Sequence, residues 1–348
     1  MNFEYVVKKE RFSINGTGPI VLMGKSIYSG KGDNLFIRNN ILRPIRNLEK
    51  YDEDMERCIS NTSYIIERLK EEVEDGWHFE LYYLQKTKSF SFINSYSQFS
   101  VYVEMFKNKQ SMGLFLVENM DKLDEEISKI KNKYLKIDKI PYLGINLERP
   151  ILFSGQAAGI LSHELLGHIF EIDNFFMYQY EKLFPLIEKL NIDIVDLPSM
   201  KNGLGFYLYD DMGICYKDVT ICSNGRMTGK LIGGECTRQK IVHALRRDDY
   251  TKSCMPRMSN LYINNKKENF ITIDTYIEIT KLGKCYINHK KGILEISIEQ
   301  GAFCLGGKYM ARVNKGVFML SIVKLIDRMS AVGRQNTLCP LQCQKQGQ

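Results

Sequence analysis

The stretch GQAAGILSHELLGHIFEID, residues 155–173, places ionisable side chains inside an otherwise apolar run. His163 is followed directly by Glu164, and a second histidine, His168, comes five positions after the first. Burying two imidazoles and a carboxylate costs several kcal/mol unless they are paired or bind a metal. Two histidines and a carboxylate are also the side chains with which zinc hydrolases hold their metal and move a proton. The stretch therefore predicts an apolar helix that carries either a metal site or two core histidines.

The spacing of the two histidines requires a distorted helix. In the familiar zinc-protease motif HExxH the histidines are four residues apart and share one face. Five residues of a regular α-helix turn by about 500°, so the rings of His163 and His168 would diverge by about 140°. They converge only if the turn widens, as in a π-bulge, or if the helix distorts at its end, for which Gly167 is a suitable place. Spacing alone is therefore weak evidence for a metal, and core or capping histidines remain the alternative.

The sequence before this helix predicts mixed α and β structure. Apolar residues at spacings of three and four predict a helix at 53–73. Alternating aromatic and β-branched residues predict strands at 79–85 and 99–106, and 112–117 is suited to pair with the second. A charged helix with one apolar stripe is predicted from about residue 121 to 136.

The sequence after residue 173 predicts mostly β structure. Asn224 and Gly225 separate two apolar runs within 218–232, which is a strong hairpin signal. A second hairpin is predicted within 284–300, where two lysines and a glycine lie between two strand-like runs.

A short segment between Pro141 and Pro150 separates the two parts of the sequence. We therefore predict an α+β fold with two domains. Residues 1–140 would form an N-terminal α/β domain, and residues 141–348 a β-rich C-terminal domain that carries the HExxxH helix.

Composition excludes several classes of protein. The net charge of +7 is spread over 348 residues and does not favour a nucleic-acid partner. No apolar run approaches the roughly 20 residues of a membrane span, so no membrane partner is expected. The N-terminus lacks a secretory signal and the nine cysteines are scattered, which favours reduced thiols and a cytoplasmic location.

Several segments resemble the TldD/PmbA family of metallopeptidases. The helix sequence AAGILSHELLGHIFEID is similar to the family pattern A-A-G-x-L-x-H-E-x-x-G-H-x-x-E-x-D. Residues 209–232 resemble the family's D-D-E-G segment and I-x-N-G hairpin, and MPRMSNLYI (255–263) resembles its M-P-R-M-T-N-x-Y stretch. AVG (331–333) and CQKQGQ (343–348) are similar to its A-V-G and C-G-K-x-G-Q. The resemblance covers about 90–348 and extends more loosely over the first 90 residues.

The resemblance implies a zinc site on particular residues. His163 and His168 would be ligands, and Cys343 would be the third ligand of one Zn²⁺ per chain. Glu164 would be the general base that activates the attacking water. Two imidazoles and one thiolate would leave a coordination position open for water, as catalytic zinc sites require.

Three further residues are candidates for supporting roles. Glu171 would supply an oxygen ligand if Cys343 does not bind the metal. Otherwise Glu171 would orient one of the histidines, as Asp173 would. Arg257 would bind a substrate carboxylate or carbonyl, and a structural salt bridge is an equal alternative.

The sequence departs from the family pattern near its end. Gln344 stands where the family has glycine after the cysteine, and the sequence stops at Gln348, where family members usually continue through further β structure. These departures predict a C-terminal domain that is truncated at its end. A naturally short form, a truncated product and completion by a partner subunit all remain open.

The resemblance implies a zinc-dependent metallopeptidase that cleaves short, unfolded or leader peptides, bound extended along a strand edge. It also implies a homodimer, or a heterodimer with a TldD/PmbA-type subunit, in which the chain that keeps HExxxH is catalytic. The alternative is a non-catalytic peptide- or protein-binding subunit of such a complex. A structural zinc protein with Cys339 as the fourth ligand is a weaker alternative.

Overall fold

The computed structural model describes residues 2–14, 21–33, 64–73, 76–90, 93–108, 110–117, 120–137, 140–143, 149–200, 203–212, 214–237, 241, 243–246, 254–265 and 273–330. The strands of the first part are β1 (Asn2–Ile14), β2 (Val21–Asp33), β3 (Trp77–Phe90), β4 (Ile93–Lys107), β5 (Gln110–Leu116) and β6 (Tyr142–Leu143). The later strands are β7 (Ile151–Phe153), β8 (Ile192–Asp196), β9 (Val219–Ser223), β10 (Arg226–Met227), β11 (Lys230–Leu231), β12 (Gly234–Glu235), β13 (Leu245–Arg246), β14 (Met255–Pro256), β15 (Leu261–Asn265), β16 (Thr275–Asn288), β17 (Ile293–Leu305), β18 (Lys308–Val313) and β19 (Gly316–Ser321).

Among the described residues the helices are fewer than the strands, and all of them except α2 are short. The α-helices are α1 (64–71), α2 (Met120–Ile137), α3 (Gln156–Ser162), α4 (Ile172–Met177), α5 (Phe184–Glu188) and α6 (Ile322–Arg328). A π-helix spans His163–Gly167, and 3₁₀ turns span His168–Phe170 and Tyr180–Leu183. None of the helices that the structure describes has the length and apolar content needed to cross a membrane. The fold is therefore of mixed α and β type with strands predominating, as the sequence predicts.

An antiparallel five-stranded sheet, in the order β2-β1-β3-β4-β5, dominates the first part of the chain. It contains the three strands predicted there, including the predicted pairing of β4 with β5. α1 confirms the end of the predicted helix at 53–73, and residues 53–63 lie outside the described residues. The charged helix predicted at 121–136 is α2. The apolar stripe of α2 packs against this sheet and α1. The resulting core includes Leu69, Phe79, Leu81, Val103, Met105, Leu123 and Ile127.

The second part of the chain has its own hydrophobic core and two main sheets. One has the order β6-β18-β17-β16-β7, with β19 also paired to β17, and the other has the order β10-β9-β8-β15. α3, the π-helix and the turn after it contribute Leu161, Leu165, Ile169 and Phe170 to the core between these elements. The apolar positions of the HExxxH helix are therefore core residues. The domain boundary at residue 140 stays a prediction.

Both predicted hairpins are confirmed. Asn224 and Gly225, with φ of 49° and 72°, form the turn between β9 and β10. Two positive φ values are the signature of a type I′ turn, which explains the Asn-Gly pair. The second hairpin joins β16 and β17, which pair over most of their length.

The prediction of mostly β structure after residue 173 is wrong for 174–188. This segment forms α4, the second 3₁₀ turn and α5, and only afterwards does β8 begin. Phe175, Leu183 and Ile187 are buried against the core and fix these short helices in place. Aromatic and β-branched side chains such as Phe175 and Ile187 favour strands in isolation, and here packing against the core outweighs that preference.

A buried carboxylate connects α2 to the six-stranded sheet. Glu278 of β16 accepts a hydrogen bond from Lys133 of α2 at 2.7 Å and one from the Tyr309 hydroxyl at 2.8 Å. The Ser154 hydroxyl, between β7 and α3, donates to the same carboxylate. The cation and the two hydroxyls hold the pKa of Glu278 below its usual range, although burial opposes them. The carboxylate therefore stays ionised at neutral pH.

We expect Lys133→Met to lower the free energy of unfolding by about 2 kcal/mol at pH 7, because it leaves a buried charge without its counter-ion. Because the pKa of Glu278 is lower in the folded state, its stabilising effect is present above the usual glutamate pKa and disappears as the pH falls through the lowered value. The difference between variant and parent should therefore vanish in acid. Urea unfolding at both pH values measures it, with the exposed Lys136→Met as control. A difference that persists in acid would contradict the charge argument.

Candidate metal centre

The HExxxH segment forms the widened turn that its spacing requires. The π-helix spans His163–Gly167, and the backbone N–H of His168 donates to the carbonyl of His163, five residues earlier. This turn brings the two histidines onto the same side of the helix. Their ring centroids are 4.7 Å apart, with the ring planes at 82°. The predicted distortion is therefore confirmed, and it ends at Gly167.

Gly167 is required for close packing. A Cβ at Gly167 would overlap the thioether of Met258, in the segment after β14, so only glycine lets this segment approach the turn. The backbone of Gly167 has φ −108° and ψ −72°, outside the left-handed region. Glycine is therefore required at this position because a side chain would clash with Met258, and not because of a positive φ.

His163, Glu164 and His168 form the one group of three potential metal ligands among the described residues. One ligand atom from each lies within 4.8 Å of the others. His163 Nε2 is buried and has no hydrogen-bond partner in the described part of the chain. An unpaired buried nitrogen costs about 1–3 kcal/mol, which a metal ion would relieve. Two imidazole nitrogens and a carboxylate also suit the ligand preference of Zn²⁺. The residues present therefore fit a metal ion.

The electrostatic environment keeps His163 neutral. Burial lowers the pKa of His163 to about 3, and repulsion from His168 lowers it further. The nearby guanidinium groups of Arg257 and Arg246 act in the same direction, whereas Glu171 opposes them. Neutral imidazole is the form that binds metals.

Glu171 holds His168 in one orientation. The Nδ1 atom of His168 lies 2.9 Å from Glu171 Oε2, and Glu171 is completely buried. The same carboxylate accepts a hydrogen bond from the backbone N–H of Met258 at 3.1 Å and one from the Asn174 amide at 3.2 Å. If Nδ1 of His168 donates to this carboxylate, its Nε2 is left as the nitrogen that would bind a metal. Of the two roles predicted for Glu171, this geometry supports the orienting one.

We expect Glu171→Gln to weaken zinc binding by about 10- to 100-fold. The NH₂ of glutamine replaces one of the two carboxylate oxygens and cannot accept, so either His168 or Met258 loses its acceptor. Competition with a chromophoric chelator measures the affinity. Glu181→Gln, an exposed change ten residues away, is the control and should bind as the parent does. Equal affinity in the two variants would show that Glu171 does not orient a ligand.

Glu164 lies in a desolvated position beside the histidines. Burial raises the pKa of Glu164, while His168 and a backbone hydrogen bond from Ile287 of β16 oppose the rise. A carboxylate with a raised pKa is a better proton acceptor near neutral pH than an exposed one. Its position is therefore compatible with the predicted role of a general base.

The remaining predicted site residues are placed differently. Arg257 is buried close enough to influence His163, and its backbone N–H donates to the Ala244 carbonyl. Asp173, half-buried in the first turn of α4, is not part of the ligand group. Cys343 lies outside the described residues.

Sequence reasoning missed the residues that approach the centre from a distance. Asn174 bonds Glu171 and the backbone of Ile287 bonds Glu164. Arg246 bonds the carbonyl of Met258, whose N–H bonds Glu171. Met258 belongs to the segment MPRMSNLYI, and nothing in that sequence indicates that it lies beside the site. No periodicity connects these positions to residues 163–168, so only the folded chain brings them together.

Comparisons with known proteins identify the family and the fold of the chain. A family model described as the PmbA/TldA metallopeptidase C-terminal domain matches residues 147–344, more than half of the chain. No curated protein matches the chain. Several solved structures match over almost its whole length. TldE from Thermococcus kodakarensis has 14% identity and a TM-score of 0.63, with 98% of this chain and 93% of that chain covered.

Two further solved structures are described as putative modulators of DNA gyrase. The one from Thermotoga maritima has 13% identity and a TM-score of 0.59, and the match covers 97% of this chain and 92% of that chain. The one from Bacteroides thetaiotaomicron has 11% identity and a TM-score of 0.56, with coverage of 97% and 90%. At these identities the likeness shows a common fold. With the family model matching the part of the chain that contains the HExxxH helix, the chain belongs to the PmbA/TldD family of metallopeptidases.

Proposed function

We propose that this chain is a zinc-dependent metallopeptidase that cleaves short, unfolded or leader peptides. The observation that carries the proposal is the π-helix, which places His163, Glu164 and His168 together while Glu171 fixes one imidazole. His163 and His168 would hold the metal with Cys343. Zn²⁺ bound there would polarise a peptide carbonyl and make a water molecule more acidic.

Glu164 would move the proton in this reaction. Its carboxylate would accept a proton from the attacking water and deliver it to the amine of the leaving peptide. The desolvation that raises its pKa supports both steps, because the group must gain and then lose a proton near neutral pH. His163 and His168 would remain neutral throughout as ligands.

The peptide would bind in an extended conformation beside β16. The backbone N–H of Ile287 bonds the Glu164 carboxylate, which places Glu164 beside β16. On the side of β16 away from β17, the described strands pair only at Ile277–Ile279, with β7. Backbone groups on that side would hydrogen-bond the main chain of a peptide next to the general base. Recognition through the backbone would tolerate many side chains.

The active form is proposed to be a dimer, with a second copy or with another TldD/PmbA-type subunit, and a cytoplasmic location remains part of the proposal. The rival function predicted from the sequence, a non-catalytic binding subunit, differs in one respect that can be measured. It requires no turnover, whereas the peptidase requires metal-dependent cleavage of a peptide bond.

Zinc content and peptide cleavage of the full chain test the proposal together. We expect about one zinc per chain by elemental analysis, and cleavage of unstructured peptides detected by mass spectrometry. Chelation should abolish cleavage, and zinc should restore it. Zinc without cleavage, alone or with added subunits of the family, would support the binding subunit instead. Absence of both would overturn the zinc site on this chain.

A further inference from the structure

Arg246 is a half-buried cation that the proposed reaction does not use. It lies at the end of β13, and its Nη2 donates to the carbonyl of Met258 at 2.5 Å. Its guanidinium lies over the ring of Tyr207, 6.0 Å from the ring centroid. Its Nε is buried, with no hydrogen-bond partner in the part of the chain that the structure describes. A buried N–H without a hydrogen-bond partner costs free energy. The guanidinium is held in this position by its hydrogen bond to the Met258 carbonyl.

Met258 connects this arginine to the metal centre. Its backbone N–H donates to Glu171 Oε1 at 3.1 Å, while its carbonyl is held by Arg246. Its side chain fills the space that Gly167 leaves beside the π-helix. The following residue, Ser259, donates through its backbone N–H and its hydroxyl to the buried Asp196, at 2.6 and 2.9 Å. Both backbone groups of Met258 are therefore fixed, one by the arginine and one by the carboxylate that orients His168.

We propose that Arg246 is a positioning residue for the metal centre. By fixing the carbonyl of Met258, it holds the Met258 N–H against Glu171 and so keeps Glu171 bonded to Nδ1 of His168. This inference rests on the proposed metal site and adds a residue to it. Arg246 would act through two intervening groups, the backbone of Met258 and the carboxylate of Glu171.

A direct effect of charge would have the opposite sign. Arg246 is a cation in the electrostatic neighbourhood of His163, so removing it would favour a bound cation through Coulomb's law. Loss of positioning would instead weaken metal binding, because His168 would no longer be held in its ligating orientation. The sign of the change in metal affinity therefore distinguishes the two roles.

The experiment compares zinc affinities by chelator competition for the full chain and its variants. Arg246→Met, which keeps length and loses the donor, is expected to bind zinc about 10-fold more weakly. Arg246→Lys keeps a cationic donor for the Met258 carbonyl and should lie within about threefold of the parent. Arg226→Met, an exposed change on β10, is the control and should not alter the affinity. Visible absorption of the Co²⁺-loaded proteins reports the ligand geometry independently of activity, and should change in Arg246→Met alone.

A double variant tests the route through Glu171. If Arg246 acts through this carboxylate, Arg246→Met combined with Glu171→Gln should bind zinc about as weakly as Glu171→Gln alone. Additive losses, or tighter binding in Arg246→Met, would overturn the inference while leaving the metal site intact. Circular dichroism of the metal-free proteins shows whether each variant is folded. If Arg246→Met is unfolded, Arg246→Gln, whose shorter side chain loses the charge and the reach to the Met258 carbonyl, replaces it in both comparisons, with the same expected results. A parent chain that binds no zinc would overturn both this inference and the proposed function.

Discussion

Glu164→Gln is expected to lower the turnover of peptides by about 10³-fold while leaving bound zinc in place. Glutamine has nearly the same shape as glutamate but cannot accept a proton from water at neutral pH. The histidines and their spacing do not change, so the metal content should remain that of the parent. Elemental analysis and peptide cleavage on the same preparation separate the two effects. Glu181→Gln, exposed and distant from the ligand group, should retain full turnover.

Two other outcomes would assign Glu164 a different role. Its carboxylate is one of the three potential ligands within 4.8 Å of one another, so geometry alone also permits it to bind the metal. Loss of zinc in the glutamine variant would therefore identify it as a ligand. Turnover close to that of the parent would exclude it as the general base. The expected combination, metal retained and turnover lost, is specific to a residue that moves the proton.

The distortion at the centre of the site could be predicted because it is a local property of the backbone. An offset of five positions from His163 to His168 is incompatible with a common face on a regular α-helix, so the helix had to widen if both rings were to meet. The π-helix satisfies this condition through one hydrogen bond, from His168 to His163. The hairpin at Asn224 and Gly225 was predictable for the same kind of reason, since two positive φ values select those residues.

The surroundings of the ligands could not be predicted in this way. Glu171 is three residues from His168, and its role as an orienting carboxylate was one of two possibilities that the sequence left open. What favours that role is the hydrogen bond from the N–H of Met258, which is 87 positions away in sequence. Residues at such separations have no common period, and pairing them requires the fold that brings the segment between β14 and β15 against Gly167 of the π-helix. The short helices α4 and α5 were missed because packing of Phe175 and Ile187 determines them more than local preference does.

Cys343→Ala is expected to reduce zinc affinity by more than the roughly 100-fold that loss of an orienting partner costs, because it removes a ligand itself. The two histidines that the structure places together would supply two of the three protein ligands that a catalytic zinc site usually has. Cys343 is the predicted third, on its resemblance to the family's C-G-K-x-G-Q segment. Equilibrium dialysis of the full chain with zinc measures the loss.

Cys339→Ala is the matched control for this change, because it removes a thiol four residues earlier in the same segment. Retention of zinc in Cys339→Ala with loss in Cys343→Ala would identify a three-ligand site that keeps a position for water and substrate, which the proposed peptidase requires. Loss in both variants would instead indicate a closed structural site with four ligands. Retention in both would exclude the cysteine ligand and direct the search for a third ligand to Glu164, whose carboxylate already lies beside the two imidazoles.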